Sequence, residues 1–141
     1  MYRLVLDSCV LVSGLRSRNG ASNRLLRLVA LGHIRPLCST ALFLEYEAVL
    51  SRPEHRLEHG LGPDALQQFL ASYASGCEGV DVHLRWRPQL NDPDDEMVLE
   101  AAVNGRADAL VTHNIRDFIR SATLFGLAVK TPRDMLKEIQ T

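Results

Sequence analysis

The chain has 141 residues, of which 46% are hydrophobic and 23% are charged. This length suits one domain, expected over residues 1–141, and the composition excludes an intrinsically disordered chain. The formal net charge of −1 gives no general attraction to nucleic acid. Any such binding must therefore come from a local basic patch.

Cysteine use and hydropathy indicate a protein of a reducing compartment. Cys9, Cys38 and Cys77 are odd in number, widely spaced and form no CxxC pair. We therefore expect reduced thiols and neither disulfides nor a zinc site. No apolar run approaches the roughly 20 residues of a membrane span, and the first residues lack the features of a signal peptide. The expected location is the cytoplasm, without a membrane partner.

The first half of the chain predicts a strand, a helix, a second strand and three further helices. Leu4-Val5-Leu6 predicts a buried strand that ends at Asp7. After the polar loop RSRNGAS, a helix with apolar i, i+3, i+4 spacing is expected to end at Gly32, and IRPLC is a candidate strand. Further helices are predicted in ALFLEYEAVL, in SRPEHRLEHG and from Pro63 onward. The candidate N-caps are Ser22 or Asn23 for the first helix and Ser39 or Thr40 for the second.

The second half alternates strands and helices more regularly. Strands are predicted in GVDVHL (79–84), at 109–112 and at 126–130, with helices at about 95–103, at 113–119 and after Thr131-Pro132. This alternation predicts an α/β fold whose mainly parallel central sheet of four to five strands is covered on both faces. Ligands of such sheets bind outside the carboxyl ends of the strands, an edge that should carry Asp7, Thr112 and Asn114.

Two acidic residues lie where apolar side chains are expected. Asp7 interrupts the run LVLDSCVLV, and a charged group that is buried without a partner is costly. It therefore needs a cation, a hydrogen-bond nest that includes Ser8, or a raised pKa. Glu45 borders the apolar stripe of ALFLEYEAVL, where it either reaches water or joins Asp7.

Four acids crowd the start of a predicted helix: Asp92, Asp94, Asp95 and Glu96. Aspartate is a good N-cap, and acids in a first helical turn gain about 0.3–1 kcal/mol each from the helix dipole, which accounts for one or two of them. A hard divalent cation accounts for the excess, because Mg²⁺ and Mn²⁺ prefer carboxylate oxygens and no His or Cys lies among these acids. A metal held in this way activates water and offsets phosphoryl charge, which favours phosphodiester hydrolysis.

Four segments resemble, in order, the motifs of PIN-domain ribonucleases: VLDSCVLVSGL, STALFLEYEAVLSRPE, DPDDEMVLEAAVNGRADALVTHNIRDF and VKTPRDML. The similarity covers nearly the whole chain and is greatest to the toxin components of toxin–antitoxin systems, akin to VapC toxins. The resemblance implies a PIN-like (Rossmann-like) three-layer α/β/α fold. It also implies an endoribonuclease that cleaves RNA with Mg²⁺ or Mn²⁺ and is silenced by a small antitoxin.

The same resemblance implies roles for particular residues. Asp7, Glu45 and Asp95 match the acidic triad that holds metal, and Asp94, one residue away, is the alternative or additional ligand. Two further hydroxyl positions, one after the first acid and one at the end of the fourth strand, are matched by Ser8 and Thr112.

The chain departs from the family pattern at two positions. Cys9 stands where the family usually has Asn, and Asn114 stands at the position of a frequent fourth acid. Asp117, three residues further on, either substitutes for that acid or is a solvated surface residue. The number of metal ions therefore stays open.

Two partners are expected: an RNA substrate, which arginine side chains would bind, and a second copy of the chain. Arginine suits phosphate through its bidentate fork. A homodimer is also expected, and the helix after Pro63 is a candidate interface, although its stripe of Leu66, Phe69 and Tyr73 suits core packing better. The residues expected to face RNA, each with an ordinary interpretation as solvated surface, are Arg16, Arg18, Arg24, His113 and Arg116.

Three other functions compete with a nuclease. A phosphoacceptor receiver domain would use Asp7, Thr112 and Lys130, but it needs an acceptor aspartate at the end of a central strand, which GVDVHLRWR does not supply. A haloacid-dehalogenase-type phosphatase is excluded because Cys9 stands where it needs a second aspartate. A catalytically degenerate PIN fold, kept for interactions, is the main alternative because of Cys9 and Asn114.

Overall fold

Five strands form one parallel sheet in the computed structural model, which describes residues 1–83, Leu90 and residues 92–140. The order in the sheet is β3-β2-β1-β4-β5, and the neighbouring pairs are all parallel. The predicted parallel sheet of four to five strands is confirmed. The strands are β1 (Tyr2–Leu6), β2 (Ile34–Cys38), β3 (Glu78–Gly79), β4 (Ala109–Val111) and β5 (Val129–Lys130).

Eight helices in the described part of the chain cover the sheet and complete a three-layer α/β/α fold. Over the same residues, none of the helices is long and apolar enough to cross a membrane. The helices are α1 (Ser8–Arg16), α2 (Ala21–Ala30), α3 (Thr40–Leu50), α4 (Pro53–His59), α5 (Pro63–Gly76), α6 (Pro93–Asn104), α7 (Ile115–Leu124) and α8 (Pro132–Gln140).

The central strand β1 sets the position of the functional edge. Its last three residues are apolar and fully buried, as expected for a strand covered on both faces. Leu6 lies opposite Val111 of β4 in a parallel register. The residues that follow these two strands, Asp7 and Thr112, therefore leave the sheet side by side at its carboxyl edge.

Helix α1 was not predicted, since the apolar run LVLDSCVLV continues from the strand without a break. The chain changes from strand to helix at Asp7, which occupies the N-cap position. Val10 and Leu11 are then fully buried on the inner face of α1. Gly14 allows α2 to approach closely, because a Cβ atom there would lie 2.5 Å from Leu26 Cδ1.

The predicted N-caps of α2 are wrong. The helix begins at Ala21 after the N-cap Gly20, so that Ser22 and Asn23 lie in its first turn. Their side chains bind α1 instead: Asn23 Nδ2 donates to the Gly14 carbonyl at 2.8 Å, and Ser13 Oγ donates to Ser22 Oγ at 2.7 Å. The predicted end of the helix is confirmed by Gly32, whose φ is +79°.

The strand predicted at 79–84 is shorter and earlier than expected. It is the edge strand Glu78–Gly79, and its last bond to β2 runs from Val80 N to the Cys38 carbonyl at 3.1 Å. The chain then turns toward α6, where His83 N donates to Asn104 Oδ1 at 3.0 Å. The end of the predicted strand, Leu84, lies outside the described residues.

Most of the other local predictions agree with the structure. Ser39 caps α3 by accepting a hydrogen bond from Leu42 N at 3.1 Å, and Thr131 accepts one from Asp134 N at 3.1 Å at the start of α8. Helix α5 begins at Pro63 and buries its apolar stripe in the core. Several boundaries differ from the prediction. Helix α6 begins at Pro93, α7 runs from Ile115 to Leu124, and the last strand, predicted at 126–130, begins only at Val129.

The edge opposite Asp7 is held together by Arg3. Its guanidinium forms an ion pair with Glu78 of β3 and donates to the carbonyls of Gly105 and Arg106 at 2.9 and 3.0 Å. The backbone N–H of Arg3 donates to Asp108 Oδ2 at 2.7 Å. These hydrogen bonds with Arg3 keep the pKa of Glu78 below its usual value. One side chain thus joins β1, β3 and the end of α6.

Candidate active site

A cavity of about 420 Å³ opens at the carboxyl edge of the sheet. Its walls come from Asp7 after β1, from α1, α3 and α4, from the first turn of α6 and from the residues after β4. Residues that are far apart in the sequence therefore become neighbours, as the topology predicts. The predicted site residues that line the cavity are Asp7, Ser8, Arg16, Glu45, Asp94, Asp95, His113 and Asn114.

Asp7 is buried and held by hydrogen bonds from its neighbours. It is only 6% exposed, and its backbone N–H donates to the Val111 carbonyl at 2.9 Å. Its Oδ2 accepts from Thr112 Oγ1 at 2.7 Å and from Cys9 Sγ at 3.4 Å. Within the described residues, no cationic side chain pairs with it. The expected nest therefore exists, but Thr112 and Cys9 supply it in place of Ser8.

Cys9, one of the two departures from the expected motif, donates a hydrogen bond from its thiol to Asp7. Burial and the neighbouring Asp7 carboxylate raise the pKa of its thiol to about 12. It therefore stays protonated at neutral pH and serves Asp7 as a weak hydrogen-bond donor.

Glu45 reaches the cavity because α3 is fixed to the central strand beside it. The neighbouring Tyr46 is fully buried, and its hydroxyl donates to the Leu6 carbonyl at 2.5 Å. Burial raises the pKa of Glu45, and the nearby Asp94 raises it further, while Arg52 opposes both effects. Glu45 thus lies within the electrostatic field of the other cavity acids and does not simply extend into water.

The four crowded acids near the start of α6 have separate roles. Asp92 is the N-cap, and its Oδ1 accepts from Asp94 N at 2.9 Å. Glu96 is 3% exposed and accepts from Leu90 N at 2.7 Å, so it is used structurally. Asp94 and Asp95 line the cavity. Helix capping therefore explains one acid, and two others are left for the site.

Asp94 and Asp95 have different neighbours, although they are adjacent in the chain. Asp94 Oδ2 lies 3.9 Å from Arg52 Nη2 in an ion pair that is about half exposed. The pKa of Asp95 is raised to about 7. Burial is the largest cause, and the negative charges of Asp7, Asp92, Asp117 and Asp94 add to it. Of the two, Asp95 is therefore the carboxyl whose ionised form is disfavoured by burial and by the surrounding acids.

The donor set suits a hard divalent cation by its chemistry. Carboxylate oxygens and the Asn114 amide are the ligands that Mg²⁺ and Mn²⁺ prefer, and a cation would relieve the repulsion that raises the pKa of Asp95. Over the described residues, however, no three His, Cys, Asp or Glu side chains lie close enough together to form a ready metal-binding group. The acids share one cavity but are not drawn together at ligand distance.

Basic side chains line the same cavity, and sequence reasoning found only some of them. Arg16 was expected, whereas Arg52 and His55 were not. Arg16 Nη1 lies 3.3 Å from Glu58 Oε2, and His55 Nδ1 lies 4.0 Å from the same oxygen. The signal in the sequence is position, because Arg52 comes directly after the helix that carries Glu45, at a turn marked by Pro53.

The remaining predicted RNA-facing residues are spread over the surface. His113 lines the cavity, and its Nε2 forms hydrogen bonds with Ser13 Oγ at 2.8 Å and Ser22 Oγ at 3.3 Å. Burial lowers its pKa, an effect that Asp7 opposes. Arg18 and Arg24 are exposed but do not line the cavity. Arg116 and Asp117 line a neighbouring cleft instead.

Comparison with known proteins agrees with this architecture. The family model described as "PIN domain" matches residues 3–116, which is more than half of the chain. No curated protein sequence matches the chain. Among solved structures, the crystal structure of VapBC2 from Rickettsia felis bound to a DNA fragment from their promoter contains a chain with 18% sequence identity and a TM-score of 0.59. The match covers 92% of this chain and 98% of that one. At this identity the likeness shows the fold, and the family match shows that the chain belongs to the PIN domain family.

Proposed function

We propose that the chain is an endoribonuclease that needs Mg²⁺ or Mn²⁺ and hydrolyses RNA phosphodiester bonds as the toxin of a toxin–antitoxin pair. One observation carries the proposal. Asp7 after β1, Glu45 on α3 and Asp94 and Asp95 on α6 line a single cavity, which Arg16 and Arg52 also line. This combination fits a cation and a phosphate in the same space.

Each side chain of the cavity has a proposed task. Asp7, Glu45 and Asp95 hold the cation, with Asp94 as a fourth acid. Thr112 keeps the Asp7 carboxylate in place through its hydrogen bond of 2.7 Å. Two further polar groups of the cavity lining, Ser8 and Asn114, are proposed to bind water or phosphate oxygens.

The reaction is a displacement at phosphorus. A water oxygen bonds to phosphorus, the bond from phosphorus to the leaving sugar oxygen breaks, and that oxygen takes up a proton. When bound, a divalent cation supplies an activated water and offsets charge on the phosphoryl group. Arg16 and Arg52 line the cavity, and in this proposal their guanidinium groups bind the phosphate oxygens. Their ion pairs with Glu58 and Asp94 are about half exposed and therefore weak enough to exchange for a phosphate.

Two partner proteins are part of the proposal. The structural neighbour is a VapBC2 assembly bound to promoter DNA, and we propose by analogy that a small antitoxin binds this chain and blocks the cavity. We also propose that the chain forms a homodimer in solution. The helix α5 stripe is not the interface, because Leu66 and Tyr73 are 4% and 3% exposed.

A catalytically degenerate binding module is the second candidate. It is favoured by the absence, over the described residues, of a ready group of three metal ligands. In that case the cavity would bind RNA or protein without cleaving it.

Cleavage of a labelled single-stranded RNA with Mg²⁺ or Mn²⁺ separates the two candidates. The wild type should cut the RNA, EDTA should stop cleavage, and Asp7→Asn should abolish it while remaining folded. Asp64→Asn is the matched control, because Asp64 is an exposed acid on α5 outside the cavity. Equal cleavage by wild type and Asp7→Asn, or no metal binding by the wild type, would refute the nuclease proposal.

A further inference from the structure

A second cleft of about 440 Å³ lies next to the active-site cavity, and none of the steps above uses it. Asp92 and Asp95 line both spaces, so only the first turn of α6 separates them. The other described residues that line the cleft are Leu90, Arg116, Asp117, Arg120 and Ser121. A chain-like substrate that occupies both spaces would therefore pass Asp95.

Arg116 and Arg120 are the cations of the cleft. They lie one turn apart on α7 and are both exposed, while Phe118 between them is fully buried and anchors the helix. Neither guanidinium forms an ion pair with another residue of the described chain. Like charges at i, i+4 repel each other on a helix. Asp92, Asp95 and Asp117 also line the cleft, but no described acid lies within ion-pair distance of either guanidinium, so both remain able to bind an anion from outside.

We propose that this cleft binds the RNA phosphodiester next to the one that is cleaved, through Arg116 and Arg120. The inference rests on the proposed nuclease function and extends it from the reacting phosphate to the flanking nucleotide. Guanidinium groups bind the two non-bridging oxygens of a phosphate by paired hydrogen bonds. With Asp95 at the shared wall, a strand bound in the cleft is led directly to the acids of the cavity.

The acids of the cleft make the proposal testable in a second way. Asp117 lies beside both arginines and repels a phosphate, so its removal should strengthen RNA binding. If Asp117 instead served as a further metal ligand, its removal would weaken metal binding. For Asp117→Asn, the first role predicts a gain in RNA affinity, and the second role predicts a loss of metal affinity.

RNA binding is measured in an Asp7→Asn background, so that cleavage does not consume the probe. Fluorescence anisotropy with a single-stranded RNA of about ten nucleotides gives Kd over a range of salt concentrations. The double variant Arg116→Ala/Arg120→Ala should weaken binding at least about tenfold and lower the slope of log K against log salt by about 1.4, or about 0.7 for each lost contact. Arg133→Ala, an exposed arginine on α8 outside both spaces, is the control and should change neither value.

Length dependence gives a second readout. In the Asp7→Asn background with both arginines present, RNA affinity should rise from a dinucleotide to the longer RNA. The double variant should lose most of that gain. A double variant that matches Arg133→Ala in affinity and salt slope overturns the subsite. A loss of Mn²⁺ affinity in Asp117→Asn as large as that in Asp95→Asn, measured by calorimetry, also overturns it in favour of a cation site, because Asp117 acting only through its charge on Asp95 should cause a smaller loss. RNA that is bound through these arginines but never cut by the protein with native Asp7 refutes the nuclease alone, whereas no RNA binding refutes both.

Discussion

The hydroxyl of Thr112 donates a hydrogen bond of 2.7 Å to Asp7 Oδ2 and accepts one from Asn114 N at 3.0 Å. Asp7 follows β1 and Thr112 follows the neighbouring parallel strand β4. Asp7 is 6% exposed and Thr112 is 0% exposed. A single buried hydroxyl thus fixes the carboxylate on the central strand and orients the chain that carries Asn114.

Thr112→Val should lower the free energy of unfolding by about 1–3 kcal/mol, because a buried acceptor on Asp7 and the N–H of Asn114 both lose their partner. Urea unfolding measures this loss. Thr112→Ser keeps the hydroxyl and should retain most of the stability and RNA cleavage. Equal stability of Thr112→Val and wild type would show that the hydrogen bond contributes nothing.

The metal-free protein should lose stability as the pH rises from about 4 to about 7 because of Asp95. Its pKa is about 7 in the folded chain against the ordinary 3.8, so the folded state binds the proton more tightly over this range. Asp95→Asn cannot ionise and should melt at a higher temperature than the wild type at about pH 8, while the two converge near pH 4. Melting curves in EDTA test this, with Asp64→Asn as the neutralised control that should follow the wild type.

Metal titrations should separate Asp95 from Asp94. Asp95 is close to Asp7, whereas Asp94 pairs with Arg52 at 3.9 Å. Calorimetry with Mn²⁺ should therefore show a larger loss of affinity for Asp95→Asn than for Asp94→Asn. The reverse order would make Asp94 the principal ligand.

Tyr46→Phe should destabilise the protein by about 1–3 kcal/mol, because the buried Leu6 carbonyl loses its hydrogen bond from the hydroxyl. It should also reduce RNA cleavage, since this bond fixes α3 beside β1 and thereby places Glu45. Tyr2→Phe, at a half-buried tyrosine on β1, is the control. A change of similar size in both variants would assign the effect to the loss of any tyrosine hydroxyl.

Sequence reasoning placed Asp7 and Thr112 correctly at one edge for a general reason. The carboxyl ends of parallel strands meet at the same side of a sheet, so the residues that follow two strands become neighbours whatever lies between them. Ser39 was found for a local reason, because its hydroxyl caps a helix only three residues away.

The features that were missed depend on how elements cross in space. Helix α1 stayed hidden because its apolar residues continue the pattern of β1. Arg52 and Arg120 face their cavities only because α4 and α7 have particular orientations, which no local spacing encodes. Cys9 was interpreted as the loss of a polar group, although its thiol binds Asp7.

The ion-paired Arg3 has a consequence for how mutations act. At one end of β1, Arg3 pairs with the opposite charge of Glu78 and donates to the Gly105 carbonyl. At the other end, Asp7 lies near further acids, whose like charges repel one another. We therefore expect stability and the proposed activity to depend on opposite ends of a single strand of five residues. Changes near Arg3 should lower the melting temperature and leave the turnover of each folded molecule intact. Neutralising an acid near Asp7 should produce the opposite pair of effects.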